Sequence, residues 1–337
     1  MTQEEARIHA PDLVGGYWVN SEPLNIADLR GKAVLIDFWD FTCVNCIHTL
    51  PYVAEWHRRY ARLGLAVVGV HAPEFSFAKE LDGVKQAIAS FHIESPVVMD
   101  NGYSIWQAYA NRYWPAKYLV DKEGYIRFYH FGEGAYTETE AAIQMLLREI
   151  DPNVTLPEPM PPVRDSDAPG AVCYRVTPEL YLGYQRGRIG NPAGYVPKQS
   201  AAYRDPGMHA EGYFYLDGEW RADEEHVMKP AGSTGDSRLT IRYTAKEVNL
   251  VMNPLLGRAS RLRVLLDGAP IPQEHAGEDI RFEEESAFVE VDGPRMYRLA
   301  NSPEIGAHEL SLLTADAGVA MYAFTFVSCV VPPDAIG

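Results

Sequence analysis

The hydrophobic rhythm of this 337-residue chain changes near its middle. In the first part, continuous apolar runs alternate with segments of helical period. Ala33–Trp39 shows no strand alternation and is broken only by Asp37, so it predicts a central strand covered on both faces. Ile47, Leu50, Val53, Ala54 and His57 follow at helical spacing and predict a helix over about 44–62. Leu65–Val70 reads as a second apolar strand, followed by a helix near 80–91, the short strand Pro96–Met99 and a short helix over Tyr103–Asn111. Lys117–Val120 and Tyr125–Phe131 flank Asp121-Lys122-Glu123-Gly124 as a hairpin, and Ile143, Leu146, Leu147 and Ile150 form the apolar stripe of a last helix. Ahead of the first central strand, Gly15-Gly16, Asn20-Ser21 and Pro23 predict a small hairpin within residues 8–30.

From Asp151 to Gly170 apolar periodicity is lost and six prolines appear, which predicts a semi-extended linker between domains. Beyond it, short runs rich in Val, Leu, Tyr and Phe alternate with turn signals at Asp217-Gly218, Asp267-Gly268 and Asp292-Gly293. Leu239–Tyr243, Glu247–Met252, Leu262–Leu266, Ala287–Val291, His308–Leu313 and Val319–Val327 read as strands. The pattern therefore predicts an α/β domain over 1–150, a linker over 151–170 and an antiparallel β-sandwich over 171–331.

A net charge of −16, with both halves acidic, argues against nucleic acid or an anionic membrane as partner. Met1–Arg7 is polar and has no cationic and apolar leader pattern, and no stretch reaches the roughly 18 apolar residues of a membrane span. As it stands, such a chain is expected to be soluble and cytoplasmic. A chain from which an export signal had been removed would read the same and would be extracytoplasmic.

Only four cysteines are present, too few for a disulfide-stapled scaffold of this length. Cys43 and Cys46 stand three residues apart at the start of the first helix, on one face of its first turn. Free N–H groups there are expected to favour a thiolate on Cys43. A zinc site would need a second cysteine pair or histidines at ligand spacing, and neither accompanies this one.

Asp37 six residues before Cys43, the Cys-x-x-Cys pair and Pro51 five residues after Cys46 resemble the active-site segment of the thioredoxin superfamily. Asp28-Leu29-Arg30-Gly31-Lys32 and Trp114–Asp121 resemble the TlpA/ResA-like thiol–disulfide oxidoreductases. Thr42–Cys46 and Phe131-Gly132-Glu133-Gly134 resemble the soluble C-terminal portion of DipZ-type proteins, in which a thioredoxin-like domain precedes a β-sandwich resembling a carbohydrate-binding module.

The resemblance implies a thioredoxin-like fold and exchange of electrons with protein disulfides through Cys43 and Cys46. It places Asp37 at the family's buried acid, able to take the proton of Cys46, and implies a cis bond before Pro115 with Trp114 presenting backbone to substrate. Phe41 and Trp39 would flank the thiols, with core packing an equal alternative for Trp39. No cofactor is expected beyond the redox-active Cys43–Cys46 pair; the partners are a disulfide-bearing protein substrate and an upstream thiol reductant. Thr42 and Val44-Asn45 depart from thioredoxin's own Trp and Gly-Pro, so the direction of electron flow stays open.

Two other functions compete with this reading. A thiol peroxidase would need threonine three residues before its reactive cysteine, where this chain has Asp40 before Cys43 and Cys43 before Cys46. A binding module would use the second domain for a glycan or protein ligand, with Tyr181, Tyr184, Trp220 and Tyr297 as stacking candidates. His48, His57, His71 and His130 have no motif partner and read as satisfied or solvated. Cys173 and Cys329 fall on the first and last strands of the second domain, where they could face each other; two buried reduced thiols are expected, with a disulfide as the alternative.

Overall fold

The computed structural model describes residues 7–168 and 171–330, Val330 by its backbone alone. Met1–Ala6, Pro169, Gly170 and Val331, to which some of the expectations extended, lie outside the described residues. The chain divides into two units between Asp167 and Ala168.

The first unit runs β1 (Trp18–Val19), β2 (Ala33–Trp39), α1 (Val44–Tyr60), β3 (Leu65–His71), α2 (Leu81–Ser90), β4 (Val97–Met99), α3 (Ser104–Ala108), β5 (Ala116–Val120), β6 (Ile126–Phe131) and α4 (Tyr136–Ile150). Its strands form one sheet in the order β1-β4-β3-β2-β5-β6. β2 is central, parallel to β3 on one side and antiparallel to β5 on the other, and all seven of its residues are buried. Alternation sends Val34, Ile36 and Phe38 into one core and Ala33 and Leu35 into another, packed with Trp56 and Tyr60 of α1 and Ile143 and Leu147 of α4. Asp37 shares the parity of Ala33 and Leu35, so it lies on the face of the sheet that α1 covers.

The hairpin expected before β2 does not form. Gly15 and Gly16 instead let the chain run close against β4: a Cβ on Gly15 would stand 2.5 Å from Val98, and the Gly16 N–H donates to the Met99 carbonyl at 2.9 Å. β1 then pairs antiparallel with β4, Trp18 opposite Val98. The proline-rich segment is not a free linker up to Asp167. Leu156 and Met160 pack on the α1–α4 core, Gln144 donates to the Pro157 carbonyl at 2.9 Å, the Met160 N–H donates to Glu140 at 2.8 Å, and the Val163 N–H donates to the Tyr52 hydroxyl at 2.6 Å. An extended chain exposes unpaired backbone groups, and these side chains satisfy them.

The second unit is all β: β7 (Val172–Cys173), β8 (Leu180–Tyr181), β9 (Ser200–Tyr203), β10 (Phe214–Ala222), β11 (Val227–Met228), β12 (Ser237–Pro254), β13 (Ser260–Leu266), β14 (Ala269–Pro270), β15 (Ile280–Glu283), β16 (Ser286–Val291), β17 (Arg295–Thr314), β18 (Val319–Val327) and β19 (Cys329–Val330). Eleven of these strands belong to one hydrogen-bonded sheet, nine of them in the order β15-β16-β13-β17-β12-β10-β11-β18-β8, with β14 on β13 and β9 on β10. The runs read as separate strands at Leu239–Tyr243 and Glu247–Met252 are one strand, β12, which pairs with β17 throughout and exchanges β10 for β18 on its other edge. Register shifts fall between Ala245 and Asn249. Core positions are odd up to Ala245 and even from Val248 (Leu239, Ile241, Tyr243, Ala245; Val248, Leu250, Met252), so the bulge keeps both halves facing one core while the strand bends.

Asp217-Gly218, expected as a turn, lies inside β10, where Gly218 at φ 89° marks the point at which β10 leaves β12 for β9. Asp267-Gly268 does close a two-residue hairpin, with both residues at positive φ and Leu266 opposite Ala269. Cys173 and Cys329 are neighbours, directly opposed in the β7–β19 pair with Cα atoms 4.0 Å apart, but the expectation of buried thiols is overturned: they form a disulfide, and Cys173 is exposed. The expectation rested on compartment, whereas strand register places the two sulfurs within bonding reach.

Candidate active site

β2 delivers Asp37 and Trp39 to its C-terminal end, Asp40, Phe41 and Thr42 turn the chain, and Cys43 caps α1. The Cys43 Sγ accepts the Cys46 N–H at 3.2 Å. Both thiols are free, Cys43 half-buried and Cys46 fully buried. The helix-start donor expected to favour a Cys43 thiolate is therefore present, yet it does not prevail. Burial pushes the Cys43 thiol above its ordinary value, the Cys46 hydrogen bonds oppose this, and the charges of Glu74 and Asp40 add to the rise. The Cys46 thiol is pushed up further, by burial first and then by its neighbour Cys43 and by Asp37.

Asp37 is sealed beneath α1, with Oδ1 lacking a hydrogen-bond partner. Burial raises its carboxyl from 3.8 to about 7, against the pull of Lys117. Lys117 is its partner across the β2–β5 pairing, is itself fully buried, and its Nζ also has no hydrogen-bond partner. Burial lowers the Lys117 ammonium, while Asp37, Cys46 and Glu133 pull it up, and the Tyr136 ring lies 5.6 Å from Nζ. Sequence reading missed Lys117 because a lysine in Ala116–Val120 looks like the solvent side of a hairpin. The available signal was its four apolar neighbours in that strand, all of them buried.

The Trp114–Pro115 peptide is cis. Pro115 is buried and Trp114 half-buried, its indole N–H donating to the Ala72 carbonyl at 2.9 Å and its ring tilted on Trp106 at 4.2 Å. Phe41 is buried in the cluster that holds Cys46 and against which Cys43 packs, stacked on His71 at 5.5 Å. Trp39 is also core, in one cluster with Phe41, Cys46 and Leu50. His71 is not solvated: it is fully buried, with neither ring nitrogen in a hydrogen bond and Nε2 3.3 Å from Asp40 Oδ1. His48 and His130 have contacts to Glu133 at 3.3 and 3.2 Å, and the Nδ1 of His57 is buried without a partner.

Comparison with known proteins bears on both units. The redoxin family matches residues 9–145, and a family described as a thioredoxin-like C-terminal domain matches residues 177–326. Thiol-disulfide oxidoreductase YkuV of Bacillus subtilis is 30% identical over 142 residues, which cover 42% of this chain and 95% of YkuV. This chain belongs to the thioredoxin-like thiol–disulfide oxidoreductases. Protein DipZ of Mycobacterium tuberculosis is 38% identical over 267 residues, 77% of this chain but 37% of DipZ, so the match spans little more than a third of that relative. A solved thioredoxin-like protein in its oxidized form aligns at 31% identity over 42% of this chain and 97% of its own length, with a TM-score of 0.40.

The aromatic residues offered for a ligand platform in the second unit are not equivalent. Trp220 and Tyr297 are fully buried, with the Trp220 indole N–H donating to the Asp217 carbonyl at 2.9 Å and the Tyr297 hydroxyl donating to the Gly293 carbonyl at 2.7 Å. They are core residues. Tyr181 and Tyr184 lie nearer the surface, where Arg186 stands 3.4 Å over the Tyr181 ring and the Tyr184 hydroxyl donates to Glu224 at 3.2 Å.

Proposed function

We propose that this chain reduces disulfides in protein substrates, using the Cys43–Cys46 pair alone as its redox centre. The observation that carries the reading is the stack of Cys43 at the cap of α1, Cys46 one turn into the helix, and the buried carboxyl of Asp37 under Cys46. Cys43 as thiolate attacks one sulfur of the substrate disulfide, forming a mixed disulfide and releasing the other sulfur as a thiolate. Asp37 accepts the Cys46 proton, and Cys46 attacks the Cys43 sulfur. The substrate leaves with two electrons and the enzyme holds a Cys43–Cys46 disulfide. An upstream dithiol restores it. The backbone at Trp114 and cis-Pro115 would pair with the extended substrate.

Burial and the nearby Asp40 and Glu74 charges disfavour the Cys43 thiolate. A redox pair whose reduced form is not stabilised gives its electrons away readily, which supports a reductant over an oxidant. The peroxidase reading is not favoured, because Asp40 occupies the position where threonine would be needed. The Cys173–Cys329 disulfide supports placing the protein in an oxidising compartment.

Mass spectrometry of single-cysteine variants tests the order of attack. Cys43→Ser should abolish reduction of insulin disulfides, and Cys46→Ser should accumulate a mixed disulfide through Cys43. Accumulation by Cys43→Ser but not by Cys46→Ser would reverse the assignment.

A further inference from the structure

The loop between β6 and α4, Gly132-Glu133-Gly134, holds a carboxylate that the thiol-exchange steps above do not use. The Gly132 N–H donates to the Pro115 carbonyl at 2.8 Å, which fastens the loop to the start of the strand that carries Lys117. Glu133 reaches α1, its Oε1 and Oε2 standing 3.2 and 3.3 Å from the Nδ1 of His48, a buried residue two positions after Cys46. The carbonyl of Glu133 lies 3.2 Å from the Nε2 of His130, and His130 is the register partner of Lys117 across β5 and β6. The loop thus ties the end of β6 to the helix that bears the thiols.

The proline-rich segment closes this arrangement. Arg164 donates to both Glu133 and Asp167 through Nη2, and its Nε donates to Asp167 at 3.1 Å. Asp167 also accepts the Tyr52 hydroxyl of α1 at 2.9 Å, and the Tyr52 ring is stacked on Tyr136 at 3.7 Å. One guanidinium shared by two carboxylates leaves an excess of negative charge, and a planar fork held at both ends fixes where that charge stands. The charge acts on Lys117, whose ammonium is sealed from water without a hydrogen-bond partner. Burial disfavours that ammonium, and Asp37, Cys46 and Glu133 favour it.

We propose that Glu133, held by Arg164 and His48, is a positioning residue for proton transfer at Cys46: it steadies the Lys117 ammonium and so governs, through Lys117, how readily Asp37 takes the proton. On Asp37 itself the influences are burial and Lys117. The groups that face Lys117 come from each element packed on it: Asp37 from β2, Cys46 from α1, His130 from β6, the Tyr136 ring of α4 at 5.6 Å, and Glu133 from the loop. Asp37 is the proton's acceptor and Cys46 its donor, which leaves Glu133 as the acid in this set with no part in the transfer. Without the Glu133 charge the ammonium is held less firmly, Lys117 pulls Asp37 down less, and Asp37 titrates at higher pH. The inference deepens the proposed reductase function and rests on Asp37 being the acceptor for Cys46.

The test is the pH–rate profile of mixed-disulfide resolution in the full chain, followed by stopped flow with dithiobis(nitrobenzoate). Attack by Cys43 releases one thionitrobenzoate anion and leaves a Cys43 mixed disulfide; attack by Cys46 on the Cys43 sulfur releases the second, and the second phase is the one read. Glu133→Gln is close to isosteric and should move that profile toward alkaline pH by about half a unit. The shift should be smaller than that of Lys117→Met, because the half-buried Glu133 charge is partly screened. Added to Lys117→Met, Glu133→Gln should move the profile no further. An unmoved profile for Glu133→Gln, or an equal shift with and without Lys117, overturns the proposal; a purely structural Glu133 would lower the urea midpoint and leave the profile in place. Should Glu133→Gln fail to fold, Glu133→Ala removes the same charge and carries the same expectation. Failure of the underlying reading is distinct: an unchanged rate in Asp37→Asn would remove the acceptor and the proposal with it, whereas a profile that moves in Lys117→Met but not in Glu133→Gln overturns the proposal alone.

Discussion

Asp37 and Lys117 are register partners across β2 and β5, both closed off from water, and neither the Asp37 Oδ1 nor the Lys117 Nζ has a hydrogen-bond partner. Two opposite charges left so poorly solvated cost more than their mutual attraction returns. Perturbed groups of this kind concentrate where a proton is held and released, and in the mechanism proposed above this pair acts on the thiol that gives one up.

Asp37→Asn separates the catalytic from the structural consequence. The folded-state value of about 7 stands above the unfolded 3.8, so between these pH values the folded protein holds a proton that the unfolded chain has lost. Stability due to this group therefore falls as pH rises through that window, and the penalty is complete above about pH 7. Asparagine removes it. The variant should be more stable by about 1–3 kcal/mol at pH 8 and indistinguishable below about pH 4, by urea titration. Resolution of the mixed disulfide should slow by about 10²–10⁴-fold. An unchanged rate would take Asp37 out of the mechanism.

Lys117→Met keeps the length and apolar stem of the side chain but removes the cation that holds Asp37 down. Asp37 should then titrate above 7, and the pH–rate profile of mixed-disulfide resolution should move toward alkaline pH. A profile that stays in place would show that Lys117 serves packing only.

The Cys173–Cys329 bond closes a loop with a sequence separation of 156. The chain-entropy treatment assigns such a loop about 5 kcal/mol, and measured effects commonly fall to about 2–5 kcal/mol. Replacing both cysteines by serine should lower the guanidinium midpoint of the second unit accordingly, and reductant should produce the same shift in the unsubstituted chain. Equal midpoints with and without reductant would leave the bond without a stabilising role.

His209 lies between two carboxylates, its Nε2 2.8 Å from Asp205 and its Nδ1 2.6 Å from Glu309. Burial opposes its charge, but the hydrogen bonds to Glu309 and Asp205 outweigh it and hold the imidazole above its ordinary 6.5. The sign is that of a raised base: the contribution is complete below the unfolded value and is lost as pH rises through the folded one. The stability of the second unit should therefore decline from about pH 6.5 upward, and His209→Gln should flatten that decline, as thermal melts across pH would report.

What the sequence determined by itself was local. The uninterrupted apolar run of β2 with a single acid at Asp37, the two thiols one helical turn apart and the Trp114-Pro115 step all lie within short stretches whose chemistry is independent of distant contacts. The proline-rich break and the alternating runs after it likewise marked a change from α/β to all-β architecture. Tertiary structure decided everything that depends on pairing between distant segments. Lys117 reaches Asp37 only because β5 is antiparallel to β2, and His71 reaches Asp40 only because β3 is parallel to it. Burial turned the same contacts against expectation: the helix start that should have eased ionisation of Cys43 lies in a desolvated pocket beside Asp40 and Glu74. Cys173 and Cys329 became a disulfide because β7 and β19 place them in direct register, and β12 became one bent strand because a bulge after Ala245 restores its core-facing parity. Register and desolvation are properties of the assembled sheet, and no window of sequence contains both partners.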